Sequence, residues 1–328
     1  QVNPTVRTVS TTQVREPPRD TLRAIRVIGD SSQFGIISSL LVLGDRILVA
    51  DVFTDPHISL IRLRDGRVLN RLGRNGAGPG EFRQPIWLDA AAGLPGLVWA
   101  YDGPLRRLTL IDPNAPWHEA TRKTVQLRTG TSPKHFVWLK GEWRANGLFP
   151  DYLFLHFDTA GQQGAKVRGT PPFTSDVPDT GRRRFQLNDN VLAGDPGSGR
   201  WAVAFTYVSR IDVWSGERQD VTIRGPRPVA MDGRDHHGTS TKDYQFAYTA
   251  LAASSRHLYA AFSGASSNES GFATRLHVFR WNGDFLGEVA LDTPVTALAV
   301  SANRQELYVA GMEPFPTIRV YTLPARLR

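Results

Sequence analysis

The chain has 328 residues, of which 41% are hydrophobic and none is cysteine, so disulfides, zinc–thiolate centres and cysteine nucleophiles are excluded. Its 39 lysine and arginine residues outnumber its 31 acids and leave a net charge of +8, which is explained either by solvated surface arginines or by a positive face for an acidic partner. The hydrophobic content supports a sizeable core, and no apolar run reaches the ~18 residues of a transmembrane helix.

The chain begins with a polar segment, residues 1–20, which ends in the proline-containing sequence "REPPRD". We expect this segment to be an extended N-terminal arm that projects from the folded domain as a semi-rigid tether. Residues 21–328 are expected to form a single domain. That domain opens with a strand-like run at Thr21–Gly29, "TLRAIRVIG".

Short strand-like runs then recur at a spacing of roughly 50 residues, which is typical of the blades of a β-propeller. They are "RILVAD" (46–51), "LVWAYD" (97–102), "EWRANGLF" (142–149), "RWAVAFTYV" (200–208), "HLYAAFSG" (257–264) and "ELYVAG" (306–311). In the units that read most clearly, turn residues separate four strands, whereas the last unit supplies only three. We therefore predict an all-β, six-bladed propeller of four-stranded antiparallel blades, in which Thr21–Gly29 completes the last blade and closes the ring.

The stretch "RLGRNGAGPGEFRQPIWLDA", residues 71–90, raises the alternative of a phosphate-binding glycine loop. Such a loop lies between a strand and a helix, whereas Pro85 and the following residues predict strand, turn and strand. The glycines are better interpreted as the connection between the outer strand of one blade and the inner strand of the next. Phe82 is expected to pack between these blades.

The same stretch resembles an NHL repeat, the unit of a family of six-bladed propellers, and more loosely the bacterial TolB-like propellers. The positions that carry the resemblance are Gly73, Gly80, Glu81, Phe82, Pro85, Ile86 and Asp89. The flanking "ILVAD", "LVWAYD" and "LTLID" extend it over residues 40–112. The resemblance implies the propeller fold.

No arrangement of histidines, serines or paired carboxylates indicates a catalytic site, so we expect no catalytic, cofactor-binding or metal-binding residues. His236-His237 is the one histidine pair, and a polar loop is its simplest interpretation. Six-bladed calcium-dependent lactonases place acids and amides around the central channel, and the candidates here are Asp89, Asn188, Asp189 and Asn190. Calcium needs six to eight oxygen ligands, so this supply is thin. Asp51, Asp89 and Asp102 are interpreted instead as structural residues at strand ends.

Tryptophans and arginines supply the candidate binding residues. Trp87, Trp99, Trp201 and Trp281 are expected to fill the wedges between blades. Trp117 and Trp143 are candidate exposed anchors for a partner. The run Arg182-Arg183-Arg184 lies in a segment rich in proline, glycine and threonine, and we expect an exposed loop that binds acidic groups.

These observations predict a non-catalytic, exported propeller that serves as a protein-interaction or accessory subunit. Its partner is expected to present an acidic surface and to be a larger assembly, such as an electron-transfer or photosynthetic complex embedded in a membrane. The expected location is the periplasm or another extracytoplasmic compartment, as a processed mature chain peripheral to the membrane. Two alternatives stay open: a calcium-dependent lactonase, esterase or lyase with its site in the central channel, and nucleic-acid binding by a basic face. The second lacks an RNA-binding motif.

Overall fold

A computed structural model describes residues 6–12, 20–30, 32–139, 141–147, 149, 152–167, 188–195, 197–229, 245–266, 269, 271–301, 303 and 305–327. Within these residues the regular structure is almost entirely β, and one short 3-10 helix lies at Ala325–Leu327. The described part of the chain contains no helix with the length and apolar character that a membrane span requires.

The strands form six sheets that follow one another along the chain. Blade 1 has β4 (Ile37–Leu43), β5 (Arg46–Asp51), β6 (Ile58–Arg62) and β7 (Val68–Leu72); blade 2 has β8 (Pro85–Ala90), β9 (Val98–Asp102), β10 (Arg107–Ile111) and β11 (Thr121–Gln126). Blade 3 has β12 (Pro133–Leu139), β13 (Glu142–Gly147), β14 (Phe154–Phe157) and β15 (Gln163–Val167); blade 4 has β16 (Asn190–Asp195), β17 (Arg200–Phe205), β18 (Arg210–Ser215) and β19 (Arg218–Arg224). Blade 5 has β20 (Tyr248–Ala253), β21 (His257–Phe262), β22 (Ala273–Arg280) and β23 (Phe285–Val295); blade 6 has β24 (Ala297–Ser301), β25 (Glu306–Gly311) and β26 (Thr317–Thr322). Three strands precede the blades: β1 (Arg7–Ser10), β2 (Thr21–Leu22) and β3 (Arg26–Ile28).

The core lies between blades rather than within them. The middle strands of blade 2, β9 and β10, are buried along their whole length, as expected for strands covered on both faces. Six hydrophobic clusters each join one blade to the next. One of them contains Val49 of blade 1 and Tyr308 of blade 6, so the first and last blades are neighbours. The chain is therefore a closed six-bladed β-propeller, as predicted.

Closure by an N-terminal strand is also confirmed, although the strand is shorter than Thr21–Gly29. Only β3 joins blade 6, where it pairs antiparallel with β26 and places Ile28 opposite Ile318. Thr21 and Leu22 pair instead in parallel with β23, the outer strand of blade 5. The two short strands thus lie on consecutive blades.

The prediction of a projecting arm is wrong for Arg7–Ser10, which pair with a blade. β1 lies parallel to β19 at the outer edge of blade 4, with Arg7 opposite Val221 and Ser10 opposite Arg224. The side chain of Thr11 extends this pairing, because its Oγ1 donates to the carbonyl oxygen of Arg224 at 2.7 Å. The outer strand of a blade has unpaired backbone groups, and an extended segment alongside satisfies them.

We predict that replacing Ile28 by alanine lowers the free energy of unfolding by about 2–5 kcal/mol, the range for truncating a buried isoleucine. Ile28 is 1% exposed and packs in the cluster that joins blades 6 and 1. Urea denaturation followed by tryptophan fluorescence measures the change.

The matched control is Ile25→Ala, just before the same strand. Ile25 is 61% exposed, so its loss should change the free energy of unfolding by no more than about 0.5 kcal/mol. Equal effects of the two substitutions would contradict closure by β3.

Candidate functional site

The glycine-rich connection between blades 1 and 2 is held by the side chains of Glu81, within it, and Arg107, at the start of β10. The carboxylate of Glu81 accepts a hydrogen bond from the backbone N–H of Gly78 at 2.7 Å. The guanidinium of Arg107 donates to the carbonyl oxygens of Ala77, at 2.8 Å, and Glu81. Phe82 is buried between the two blades, as predicted. A carboxylate therefore occupies the place where a phosphate would meet this backbone.

Asp51 and Asp102 are structural residues, which confirms their interpretation from the sequence. Each is buried at the end of the second strand of its blade. Asp102 accepts from the backbone N–H groups of Arg83 at 2.5 Å and Leu105 at 3.1 Å. Asp51 does the same for the loops around blade 1, accepting from the N–H of Gly35 at 2.6 Å. Each carboxylate thus fastens two connections to its blade.

The expectation that Trp143 is an exposed anchor is wrong. Trp143 is 1% exposed, and its ring lies 5.2 Å from that of Trp99 and 4.5 Å from that of Trp138. It is on the second strand of blade 3, which is covered by both neighbouring blades, so a partner cannot reach it. The tryptophans assigned to the wedges are buried as predicted: Trp87, Trp99, Trp201 and Trp281.

Trp117 is exposed, in the connection between the third and fourth strands of blade 2. Its exposed fraction is 44%, and the guanidinium carbon of Arg74 lies 4.3 Å from the centre of its ring. A cation over an aromatic face is attracted to it, so the two side chains order each other. A role for Trp117 in partner binding stays a prediction. Arg182, Arg183 and Arg184 lie outside the described residues, as do His236 and His237.

Three phenylalanines missed by the sequence analysis are exposed on one face of the ring. Phe53, Phe272 and Phe315 are 69%, 40% and 40% exposed. They lie in the connections between the second and third strands of blades 1, 5 and 6, which are consecutive in the closed ring. Because the strands within each blade are antiparallel, all such connections leave the same face. We call this side of the propeller the phenylalanine face.

The phenylalanine face also carries exposed arginines over blades 2 and 3. Arg106 lies in the connection between the second and third strands of blade 2, and Arg83 and Arg128 lie in the connections that enter blades 2 and 3. None of the three forms an ion pair with a described residue. Exposed acids, Asp55 and Glu313, lie near the phenylalanines instead. Among the described residues, the connections of blades 5, 6 and 1 thus expose phenylalanines and acids, whereas those of blades 2 and 3 expose arginines, which we call the basic half of the face.

The central channel contains a cavity of about 220 Å³ lined by the inner strands of all six blades. Its titratable side chains are Asp89 and His135. Burial raises the pKa of Asp89 to about 7, although the N–H of Ala90 donates to its carboxylate at 2.8 Å and opposes the shift. Burial, with a smaller contribution from the charge of Lys134, lowers the pKa of His135 to about 4. The imidazole is therefore neutral at physiological pH, and its Nδ1 is buried without a hydrogen-bond partner among the described atoms.

Among the described residues, the channel lining offers few oxygen ligands for calcium. Of the four candidates from the sequence, only Asp89 lines the cavity. Asp189 forms an ion pair with Lys134 at 2.7 Å, and the side chain of Asn190 accepts from Asn146 at 2.9 Å. A single carboxylate falls short of the six to eight oxygens of a calcium site.

A second group of polar residues is buried in blade 5 and was not found from the sequence. The Nε2 of His277 lies 2.7 Å from a carboxylate oxygen of Glu288, and its Nδ1 lies 3.2 Å from the hydroxyl of Tyr248. Arg227, from the connection that leaves blade 4, binds the same carboxylate with two hydrogen bonds of 2.6 and 2.8 Å. Burial alone would raise the pKa of Glu288, but these partners lower it to about 2. The group fastens that connection to the outer strand of blade 5.

Solved structures with this fold are similar in shape but distant in sequence. No protein-family model and no curated protein matches the chain. A protein from Bacteroides fragilis NCTC 9343 superposes with a TM-score of 0.60 over 96% of this chain and 98% of its own, at 12% identity. The WD40 repeats of RRP9 reach 0.57 over 92% and 98%, at 11% identity. The β-propeller domain of Cps50 (Swd1) from Myceliophteria thermophila reaches 0.52 over 92% and 100%, at 12% identity. At such identities the similarity shows the fold alone, and the NHL or TolB-like type stays a prediction.

We predict that Phe82→Ala lowers the free energy of unfolding by about 3–5 kcal/mol, because it leaves a cavity between blades 1 and 2. Arg83→Ala, at the next position but exposed, should change it by no more than about 0.5 kcal/mol. Chemical denaturation compares the two variants. A rise in melting temperature on adding nucleotide would instead indicate a phosphate site in this connection.

We predict that Asp89→Asn stabilises the protein at pH 8 but not at pH 4. Since the pKa of Asp89 is raised from 3.8 to about 7 on folding, the folded chain holds more protons between these values, and this group's contribution to stability falls as pH rises through them. The expected gain at pH 8 is about 1–3 kcal/mol, below the full value of the shift because water can enter the channel. Urea denaturation at both pH values measures it.

Asp45→Asn, which removes one exposed charge outside the channel, is the control for that experiment. A stability difference between Asp89→Asn and the original chain that stays constant from pH 4 to pH 8 would show that Asp89 does not titrate in this window.

Proposed function

We propose that this propeller is a non-catalytic interaction module that binds a protein partner across the phenylalanine face. The observation that carries the proposal is the exposure of Phe53, Phe272 and Phe315 on the same connection of three consecutive blades. Single exposed apolar residues are normal on a soluble protein, whereas a repeated arrangement on one face is typical of a binding surface. Aromatic residues of this kind are common anchors of protein interfaces.

The three phenylalanines supply part of the free energy of binding, in proportion to the surface that each still exposes. Removing an exposed phenylalanine side chain from water contributes about 1.5–3 kcal/mol when burial is complete. Each phenylalanine lies within two residues of a blade strand, which limits the conformational entropy lost when a partner binds. A partner with apolar side chains spaced to match three neighbouring blades is therefore preferred.

The partner's charge follows from the basic half of the face. Arg83, Arg106 and Arg128 are exposed and without ion pairs to described residues, so acidic groups on a partner would meet them over blades 2 and 3. The predicted contribution of Arg182, Arg183 and Arg184 belongs to the same hypothesis. Interactions between exposed charges weaken as salt rises, since screening acts over about 8–10 Å at physiological ionic strength. Association should accordingly slow at high salt.

We also infer the cellular location of the protein and the kind of assembly that it joins. The propeller fold and its WD40 neighbours are consistent with a non-catalytic interaction role. One structural neighbour is provisionally named an exported protein, which supports an extracytoplasmic location for this chain as well. We propose that the protein is an accessory subunit of a larger extracytoplasmic assembly, preferably a membrane complex.

We predict that replacing Phe53, Phe272 and Phe315 together by serine weakens partner binding at least tenfold without loss of stability. The three side chains are exposed, so their removal costs the folded state little. The partner is first identified by co-purification with the original chain from native membranes and extracts. The dissociation constant of the complex between this partner and the variant, measured by surface plasmon resonance, should then be at least tenfold higher than with the original chain.

Leu69→Ser with Leu94→Ser is the matched control, because these exposed leucines lie on an outer strand and in a connection on the opposite face. The control should bind the partner as the original chain does. Replacing Arg182, Arg183 and Arg184 by glutamine should reduce the association rate more than it raises the dissociation rate. Unchanged affinity of the phenylalanine variant would refute the proposal, as would calcium-dependent ester hydrolysis that is lost in Asp89→Asn.

A further inference from the structure

Three side chains that can bind a metal ion meet between blades 3 and 4, on the side of the ring opposite the phenylalanine face. Glu142 begins β13, His156 lies on β14, and Glu217 lies in the turn between β18 and β19. The Nδ1 of His156 is 3.8 Å from Oε2 of Glu142 and 3.7 Å from Oε1 of Glu217. The three ligand atoms all lie within 4.8 Å of one another.

The buried imidazole is directed at both carboxylates without sharing a proton with either. The side chain of His156 is only 9% exposed, and both distances exceed the reach of a hydrogen bond. An imidazole nitrogen facing two carboxylate oxygens is a combination that suits a divalent transition metal.

The simpler interpretation is that the glutamates neutralise Arg144, which is buried beside them. Its Nη1 donates to Glu142 at 2.8 Å and its Nη2 to Glu217 at 3.2 Å. One guanidinium, however, balances one carboxylate, and two carboxylates leave one negative charge over. Neutralisation also does not account for a histidine directed at the same two oxygens. Carboxylates that bind metals commonly accept a hydrogen bond as well, and Arg144 donates one to each glutamate, at the same oxygen that faces His156.

The distances are close to those of a bound ion. In a tetrahedral site with ligand bonds of about 2.1 Å, neighbouring ligand atoms are roughly 3.4 Å apart. The separations of 3.7 and 3.8 Å at His156 need to shrink by only a few tenths of an ångström. The side chains of Glu142 and Glu217 are 49% and 70% exposed, so they are free to make this adjustment.

We propose that Glu142, His156 and Glu217 bind a divalent transition-metal ion, with zinc the preferred ion, and that this ion joins blade 3 to blade 4. Two carboxylate oxygens and one imidazole nitrogen form three ligands, and water completes a tetrahedral site. Since the ligands come from two blades, binding stabilises the contact between them. The sequence gives no sign of this site, because the ligands lie on separate strands and converge only when the ring forms.

The test uses the untagged chain with His236 and His237 replaced by glutamine, so that this adjacent pair cannot bind zinc. Zinc chloride is titrated into the metal-free protein by isothermal titration calorimetry, and the melting temperature is recorded with zinc and with EDTA. We expect one zinc per chain and a melting temperature several degrees higher with zinc. Calcium chloride, which prefers oxygen ligands, should produce neither effect.

Glu217→Gln is the decisive variant, because it keeps the size of a highly exposed side chain and removes one ligand charge. It should melt with EDTA as the parent chain does, bind zinc at least tenfold more weakly, and lose the zinc-dependent rise. Glu119→Gln is the matched control, since Glu119 lies beside the exposed His118 without a third ligand, and it should bind zinc like the parent. Equal zinc affinity of the parent and Glu217→Gln, or no zinc binding by the parent, would overturn the proposal.

Discussion

The structure depends on one constraint: each blade is a sheet with two apolar faces, and both faces are buried only when both neighbouring blades are in place. A single four-stranded sheet with two apolar faces is not stable by itself. The six clusters between blades satisfy the requirement in turn around the ring. The cluster shared by blades 6 and 1 is the one that makes the arrangement closed rather than open. Stability is therefore a property of the whole ring.

The channel and both faces of the ring follow from the same constraint. Because each blade is fixed by two neighbours, six inner strands meet at the axis and enclose Asp89 among mainly apolar side chains. The connections between strands lie at the two faces of the ring, outside the hydrophobic clusters, so many of their side chains are exposed. On one side these are Phe53, Phe272 and Phe315. On the other side the ends of blades 3 and 4 come close enough for Glu142, His156 and Glu217 to meet.

The sequence predicted what repeats along the chain. The sequence predicted the blade spacing, the short last unit, the packing of Phe82 and the structural roles of Asp51 and Asp102, because each depends on local strand and turn chemistry. Trp143 was misjudged because its burial depends on blade 2, which local sequence does not describe. The group around His277 and the cluster around His156 were missed for the same reason, since their members are brought together only by sheet register and by neighbouring blades.

Strands β1, β2 and β3 precede blade 1 in the sequence, yet they pair with strands of blades 4, 5 and 6 respectively. Arg7 pairs with Val221, Thr21 with Ala290, and Ile28 with Ile318. During synthesis, β1 has no partner until the outer strand of blade 4 is made, β2 none until blade 5 is made, and β3 none until blade 6 is made. Pairings so distant in sequence form slowly, because a long loop must close before they contribute. The ring therefore cannot close before blade 6 is complete, because that blade needs both β3 and the strands β24 to β26.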